Sequence, residues 1–121
     1  MRPGFRHIPF ASLSADAAAI TVTCTSPSKT FNLAGLQISN IFISDESLRR
    51  RFKEELSRTG YDEPNTLGLA GAKAAYEHGA PWLKELLAYI EENYAFTKEY
   101  LATHLPKIKL IEPEGTYLIW M

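Results

Sequence analysis

Ser26-Pro27-Ser28-Lys29-Thr30-Phe31-Asn32-Leu33-Ala34-Gly35-Leu36 is the stretch on which the reading turns. It follows Thr21-Val22-Thr23-Cys24-Thr25, a short β-branched run that reads as a strand. Pro27 cannot donate to a sheet ladder and favours a turn, so the strand ends there. A lysine just beyond a strand can form a Schiff base where burial or neighbouring cations lower its pKa. The hydroxyls of Ser26 and Ser28, on either side of Pro27, can hydrogen-bond a phosphate. Taken alone, the tetrapeptide ending at Lys29 reads more simply as a solvent-facing loop lysine.

Upstream, residues 1–16 are expected to be irregular, because Pro3, Gly4 and Pro9 interrupt any period. Downstream, Phe31 to Gly35 reads as a compact loop or single turn, and Ile38 to Ile43 as a second, buried strand. Ser44-Asp45-Glu46 has the form of a helix start, with Ser44 as the capping hydroxyl and acids at the positive end of the dipole. Leu48, Phe52 and Leu56 then give one apolar face, and Gly60 stops the helix. Arg49, Arg50, Arg51 and Lys53 offer an anion site, but interleaved with Glu54 and Glu55 they read better as a solvated face. A second helix opens near Pro64, carries many small residues that predict close packing, and ends at Gly79 as a C′ glycine. Pro81 suits the first position of a third helix, in which Leu83, Leu86, Leu87, Ile90, Tyr94, Thr97 and Leu101 keep a three-and-four spacing up to Pro106. Residues 108–111 and 116–120 read as two further strands about a turn at Pro113-Glu114-Gly115. The chain then stops on an apolar strand, which hints at a fragment.

Composition bounds the function. The 121 residues are 45% hydrophobic and 22% charged, ordinary for one globular domain. Thirteen basic against fourteen acidic residues leave a formal charge of -1, with no electrostatic footprint for nucleic acid or an anionic membrane. No apolar run approaches the roughly 20 residues of a membrane span. The lone Cys24 excludes an intrachain disulfide framework and a zinc ribbon, and reads as a small core residue. A cytoplasmic location is the default. His7, His78 and His104 are too widely separated to show metal spacing, so no metal is expected. Tyr117 and Trp120 read as core.

The stretch from Ser26 to Leu36 resembles the cofactor-lysine segment of fold-type I pyridoxal-phosphate enzymes of the aminotransferase class I/II group. Within that group it is most similar to the MalY/PatB family of cystathionine β-lyases, which are carbon–sulfur lyases. Three other segments resemble the same branch in the right order: residues 7–10, residues 76–83 with the long helix after them, and residues 113–120. The resemblance implies an α/β fold, as part of the fold-type I architecture. Residues 1–79 would belong to the cofactor-binding large domain, residues 80–105 to a long interdomain helix, and residues 106–121 to the start of a small C-terminal domain.

What the resemblance implies for function follows residue by residue. Lys29 corresponds to the Schiff-base lysine, Ser26 to the hydroxyl that contacts the cofactor phosphate, and Ser28 to a second, more variable hydroxyl on the phosphate side. Eight residues past the lysine, where transaminases usually carry an arginine, stands Gln37. That loss of charge is what the lyase branch looks like. The implied activity is β-elimination from a sulfur amino acid such as cystathionine, giving pyruvate, ammonia and a thiol, with pyridoxal 5′-phosphate as cofactor and Lys29 as both anchor and base. A homodimer is implied, with neither nucleic acid nor membrane as partner. Members of the family are several times longer, and their groups for the pyridine ring and for the substrate carboxylate have no counterpart here. The expectation is a fragment inactive on its own. Alternatives are an aminotransferase of the same fold and a non-catalytic interaction piece.

Overall fold

In the computed structural model, residue 2, residues 4–61 and residues 63–121 are described. They fall into two compact units, Ile8–Ala80 and a second made of the N-terminal stretch to His7 with Pro81–Met121. Pro3, expected to help break the first stretch, lies outside the described residues.

The Ile8–Ala80 unit begins with a single 3-10 turn, Phe10–Ser12, and a short helix α1, Ala15–Ala19. This helix falls in and just beyond the stretch read as irregular. Its signal is local: the Ser14 hydroxyl accepts from Ala17 N–H at 3.0 Å, and Asp16 sits in the first turn. Strand β1, Val22–Thr25, pairs antiparallel with β2, Asn40–Ile43. The register runs from Val22 opposite Ile43 to Thr25 opposite Asn40, so residues 26–39 form one loop clasped at its base by the last pair. Of β2 only Ile43 is buried, and Phe42 is 61% exposed, which corrects the expectation of a buried strand. Cys24 is likewise exposed rather than core.

Helix α2, Glu46–Arg58, is capped by Asp45, not Ser44: the Asp45 carboxylate accepts from Leu48 N–H at 2.7 Å and from the Ser47 hydroxyl at 2.7 Å. These hydrogen bonds hold its carboxyl below the usual range. The basic cluster divides as a solvated face should, with Arg50 near Glu54 and Arg58 paired with Glu55. Arg49 differs, because it donates back to the carbonyls of Ile43 and Ser44 and so finishes β2. Thr59 caps α2, and Gly60 follows in the left-handed region, φ +69°, where a Cβ is penalised. Helix α3, Thr66–His78, starts on the Asn65 side chain, which accepts from Leu67 N–H at 2.9 Å. Gly68 and Ala72 are its buried residues, while Leu67, Leu69 and Tyr76 remain exposed, so only one face is closely packed. Gly79 caps it with φ -78°, so this is not the left-handed glycine cap that was expected.

Helix α4, Ala80–His104, follows at once, and Pro81 occupies its second position rather than its first. Within the second unit, Arg2 grips the Glu91 carboxylate with two donors at 2.6 and 3.0 Å, lies 4.1 Å over the Tyr94 ring, and donates to Pro113 carbonyl oxygen. Tyr94 and Leu101 are the buried residues of α4. The expected strands over residues 108–111 and 116–120 do not form. One antiparallel bridge joins Ile111 to Trp120, closed by Ile111 N–H donating to Trp120 carbonyl oxygen at 3.0 Å. The reason lies between them: Thr116 takes φ +67°, turning the chain away from extended geometry. Tyr117 and Trp120, read as core, are exposed. No described helix is long and apolar enough to cross a membrane.

Candidate functional site: the Lys29 loop

Residues 26–39 leave β1, make a tight turn through Ser28–Asn32, pass a 3-10 turn at Ala34–Leu36 and enter β2. Two left-handed residues bend this path, Asn32 at φ +56° and Gln37 at φ +49°. Asparagine tolerates that region well, and glutamine is a less common occupant. Pro27 is the most enclosed side chain described in the chain. It anchors the turn, because Phe31 N–H donates to its carbonyl oxygen at 2.9 Å and Leu33 N–H donates to Ser28 carbonyl oxygen at 2.9 Å. Lys29 sits on the outside of this rigid turn, exposed, with no ion pair to any described residue.

Ser26 and Ser28 come together. Their hydroxyl oxygens are 2.7 Å apart, Ser26 Oγ lies 2.7 Å from Ile38 carbonyl oxygen, and Ser28 N–H donates to Ser26 Oγ at 3.1 Å. A carbonyl only accepts, so the single proton of Ser26 belongs on Ile38 O. The proton between the two hydroxyls is then that of Ser28. Both side chains are half-buried and fully engaged with each other and with the base of β2.

Helix α3 backs the loop. Gly68 comes so close that a Cβ there would stand 2.9 Å from Leu36 carbonyl oxygen and 3.3 Å from Ile38 Cβ. At Gly79 a Cβ would meet the Phe31 ring, 2.9 Å from its Cδ1. Phe31 packs edge-on against Tyr76, with ring centroids 6.1 Å apart, and the Tyr76 hydroxyl accepts from Asn40 Nδ2 at 2.9 Å. Both ends of α3 thus contact the segment that carries Lys29.

Sequence reasoning named Lys29, Ser26 and Ser28, and the structure brings the two serines into contact beside the lysine turn. It missed Ile38 O and Gly68. The small-residue run of α3 signalled close packing, but nothing in it specified the loop as the neighbour. Gln37 is exposed near the far end of the loop, with its backbone N–H donating to Ala34 carbonyl oxygen. His7 and His78 are exposed, and His104 stacks on Tyr100 at 4.3 Å. Among the described residues no group of histidines, cysteines and carboxylates has the spacing of a metal site.

The family model described as aminotransferase class I and II matches residues 4–121. The chain belongs to that family. It is 49% identical over 118 residues to cystathionine beta-lyase PatB of Bacillus subtilis, covering 98% of this chain and 30% of that protein. Its fold follows cystalysin from Treponema denticola, crystallised with a pyridoxal 5′-phosphate cofactor, with a TM-score of 0.92 at 36% identity over 98% of this chain and 30% of the other. It follows equally a PLP-bound putative aminotransferase from Clostridium difficile, with a TM-score of 0.92 at 38% identity and the same coverage. The chain therefore spans about 30% of the length of the relatives it matches, and its α/β structure is part of the fold-type I architecture of the class I and II aminotransferases.

Proposed function

We propose that this chain is the lysine-bearing part of a pyridoxal-phosphate-dependent carbon–sulfur β-lyase acting on a sulfur amino acid of the cystathionine kind. The observation that carries the reading is the Lys29 turn itself: an exposed primary amine on a rigid loop beside two coupled hydroxyls, in a chain 49% identical to a cystathionine β-lyase. The donor set fits the cofactor. Lys29 Nζ would hold its aldehyde carbon, and Ser26 and Ser28 would hold its phosphate. When bound, pyridoxal phosphate supplies an electron sink for the substrate carbon that loses a proton. Lys29 Nζ is the group here able to take that proton, as a general base.

The serines can serve an anion at a favourable exchange. Ser28 can turn its proton from Ser26 Oγ, a neutral bond worth about 0.5–1.5 kcal/mol net, to a charged acceptor, worth about 1.5–3 kcal/mol, while Ser26 shares its single proton between Ile38 carbonyl oxygen and the phosphate. Gln37 brings an amide where a cation would balance phosphate charge, which favours the lyase reading over the transaminase one. The match to a putative aminotransferase keeps transamination as the second reading. Residues 1–79 are assigned to the cofactor-binding large domain, 80–105 to the interdomain helix and 106–121 to the start of the small domain. A cytoplasmic homodimer is the assembly proposed, by analogy with the family.

Anchor and phosphate donors are only part of a lyase. The 121 residues hold no group matched to the pyridine nitrogen or to the substrate carboxylate, and substrate orientation alone can be worth several kcal/mol of barrier, about 7–11 kcal/mol at the upper end. The proposal therefore includes that these residues alone do not turn over. The test is an assay of the purified chain with cystathionine, and separately with an amino donor and a keto acid, at saturating cofactor. Borohydride trapping with peptide mapping accompanies it. The expected result is a label at Lys29, absent in Lys29→Ala, with no turnover above free cofactor. Labelling spread evenly over Lys53, Lys73 and Lys84 refutes the site. Turnover that vanishes in Lys29→Ala shows instead that these residues suffice.

A further inference from the structure

We propose that Gly68 is a positioning residue for the Ser26–Ser28 pair, acting through the carbonyl of Ile38. The inference rests on the cofactor-site reading above and deepens it by naming what holds the phosphate-side hydroxyls in place. The contacts are continuous. Gly68, buried in the first turn of α3, lies against Leu36 carbonyl oxygen and Ile38 Cβ, with an added Cβ reaching 2.9 and 3.3 Å from them. Ile38 carbonyl oxygen takes the Ser26 proton at 2.7 Å. Ser26 Oγ takes the backbone N–H of Ser28 at 3.1 Å and meets the Ser28 hydroxyl at 2.7 Å. Lys29 is the next residue.

The character of the close approach matters. At Gly71, one turn further along α3, an added Cβ would meet only Leu36 Cδ1 at 2.6 Å, the tip of a side chain that can rotate away. At Gly68 the nearest atom is a backbone oxygen, which moves only if the segment entering β2 moves with it. A methyl group at 68 therefore displaces the Leu36–Ile38 backbone, and the acceptor that fixes Ser26 moves too. A methyl group at 71 leaves that acceptor where it is.

The experiment uses the full chain and two probes, pyridoxal phosphate and pyridoxal, which differ only in the phosphate. Each is trapped with borohydride and quantified by peptide mapping, and the ratio of the two labels at Lys29, divided by the same ratio at Lys53, Lys73 and Lys84 to remove the lower aldehyde reactivity of pyridoxal, reports phosphate recognition rather than turnover. The unaltered chain is expected to prefer the phosphorylated probe at Lys29. Gly68→Ala is expected to cut that preference about tenfold, equivalent to about 1.4 kcal/mol, and Gly71→Ala to change it less than about twofold. In a Ser26→Ala background Gly68→Ala should add almost nothing, since its effect passes through Ser26. Amide exchange of Ser28 should also quicken in Gly68→Ala relative to the α3 amides. If Gly68→Ala does not fold, Ile38→Ala tests the same contact without a clash, by loosening the residue whose carbonyl holds Ser26. It should lower the preference by about two- to threefold.

An unchanged ratio in Gly68→Ala, or in Ile38→Ala where that is the variant available, overturns the inference. So do losses that multiply independently in the double variant, which would show that Gly68 acts on general stability. Equal labelling of Lys29 by both probes in the unaltered chain, after that division, refutes the cofactor-site reading, and with it the inference. A phosphate preference at Lys29 that ignores Gly68 leaves that reading standing and removes only the inference.

Discussion

At the scale of single residues, the molecule places its unusual backbone conformations in loops. Thr116 is the sharpest case, a β-branched residue at φ +67° with only a 3.4 Å contact from its hydroxyl oxygen to Leu118 N–H in return. A left-handed conformation costs roughly 1–2 kcal/mol for a residue with a Cβ. Thr116→Gly is expected to recover about 1 kcal/mol of that, read as a higher denaturant midpoint with an unchanged slope. Gly60 presents the reverse case: Gly60→Ala, at φ +69°, should lower stability by about 1–2 kcal/mol in the same titration. At the candidate site, Ser26→Ala removes the acceptor of Ser28 N–H as well as a phosphate donor. It should weaken binding of pyridoxal phosphate by roughly 10–100-fold, measured by equilibrium titration. Binding unchanged by Ser26→Ala would reduce that residue to a turn former.

At the scale of elements, carboxylates at two helices are tuned by hydrogen bonds. Asp45 is held below its ordinary value of 3.8 by Leu48 N–H and the Ser47 hydroxyl, and Glu91 below 4.5 by Arg2. A carboxyl whose folded-state pKa is depressed gives stability that is fully present above its unfolded value and lost as pH falls through the folded one. Stability should therefore hold from neutrality down to about pH 4.5 and decline below it. Glu91→Gln should lower the melting temperature at pH 7 and do so progressively less at acid pH, as the wild-type carboxyl takes up its proton below its ordinary range. Equal losses at neutral and acid pH would show that Glu91 contributes packing rather than charge. The same elements show how much was legible beforehand. Helices α2, α3 and α4 and strand β1 could be read because their apolar spacing, caps and glycines are local signals. The Ser26–Lys29 stretch was legible locally only as an exposed loop lysine flanked by hydroxyls, and its role was assigned from the family resemblance of the longer segment. The strands expected after residue 107 failed because alternating apolar residues promise a strand only if a neighbour is there to pair with. Thr116 instead turns the chain, and one bridge remains. Asp45 displaced Ser44 as the cap because both are good capping residues, and the sequence alone does not say where the helix takes its first turn.

At the scale of the whole molecule, the surface says how far these residues go toward a closed core. Phe42, Phe96 and Trp120 are all more than 60% exposed. The burial of Phe42 and Trp120 was misjudged in advance because apolar residues identify a face that wants covering, not whether the covering lies within the same 121 residues. Such a surface is expected to drive self-association of the isolated chain, visible as a sedimentation coefficient that rises with concentration. Strictly monomeric behaviour at high concentration would contradict this.

The Arg2–Glu91 contact sets an order of events as well as a geometry. It joins positions 89 residues apart, and the unit it ties together takes its N-terminal strip from before Ile8 and the rest from after Ala80. Lys29's turn, by contrast, is closed by the Ser26–Ile38 bond, twelve positions apart. Contacts between distant positions wait on loop-closure entropy, and folding slows as their share grows. During synthesis at about 5–20 residues per second, the Lys29 segment can form several seconds before Glu91 has been made. The Lys29 turn is then in place while Arg2 is still without its carboxylate. A chaperone that binds the nascent N-terminus should delay the Arg2 contact and leave the lysine turn untouched.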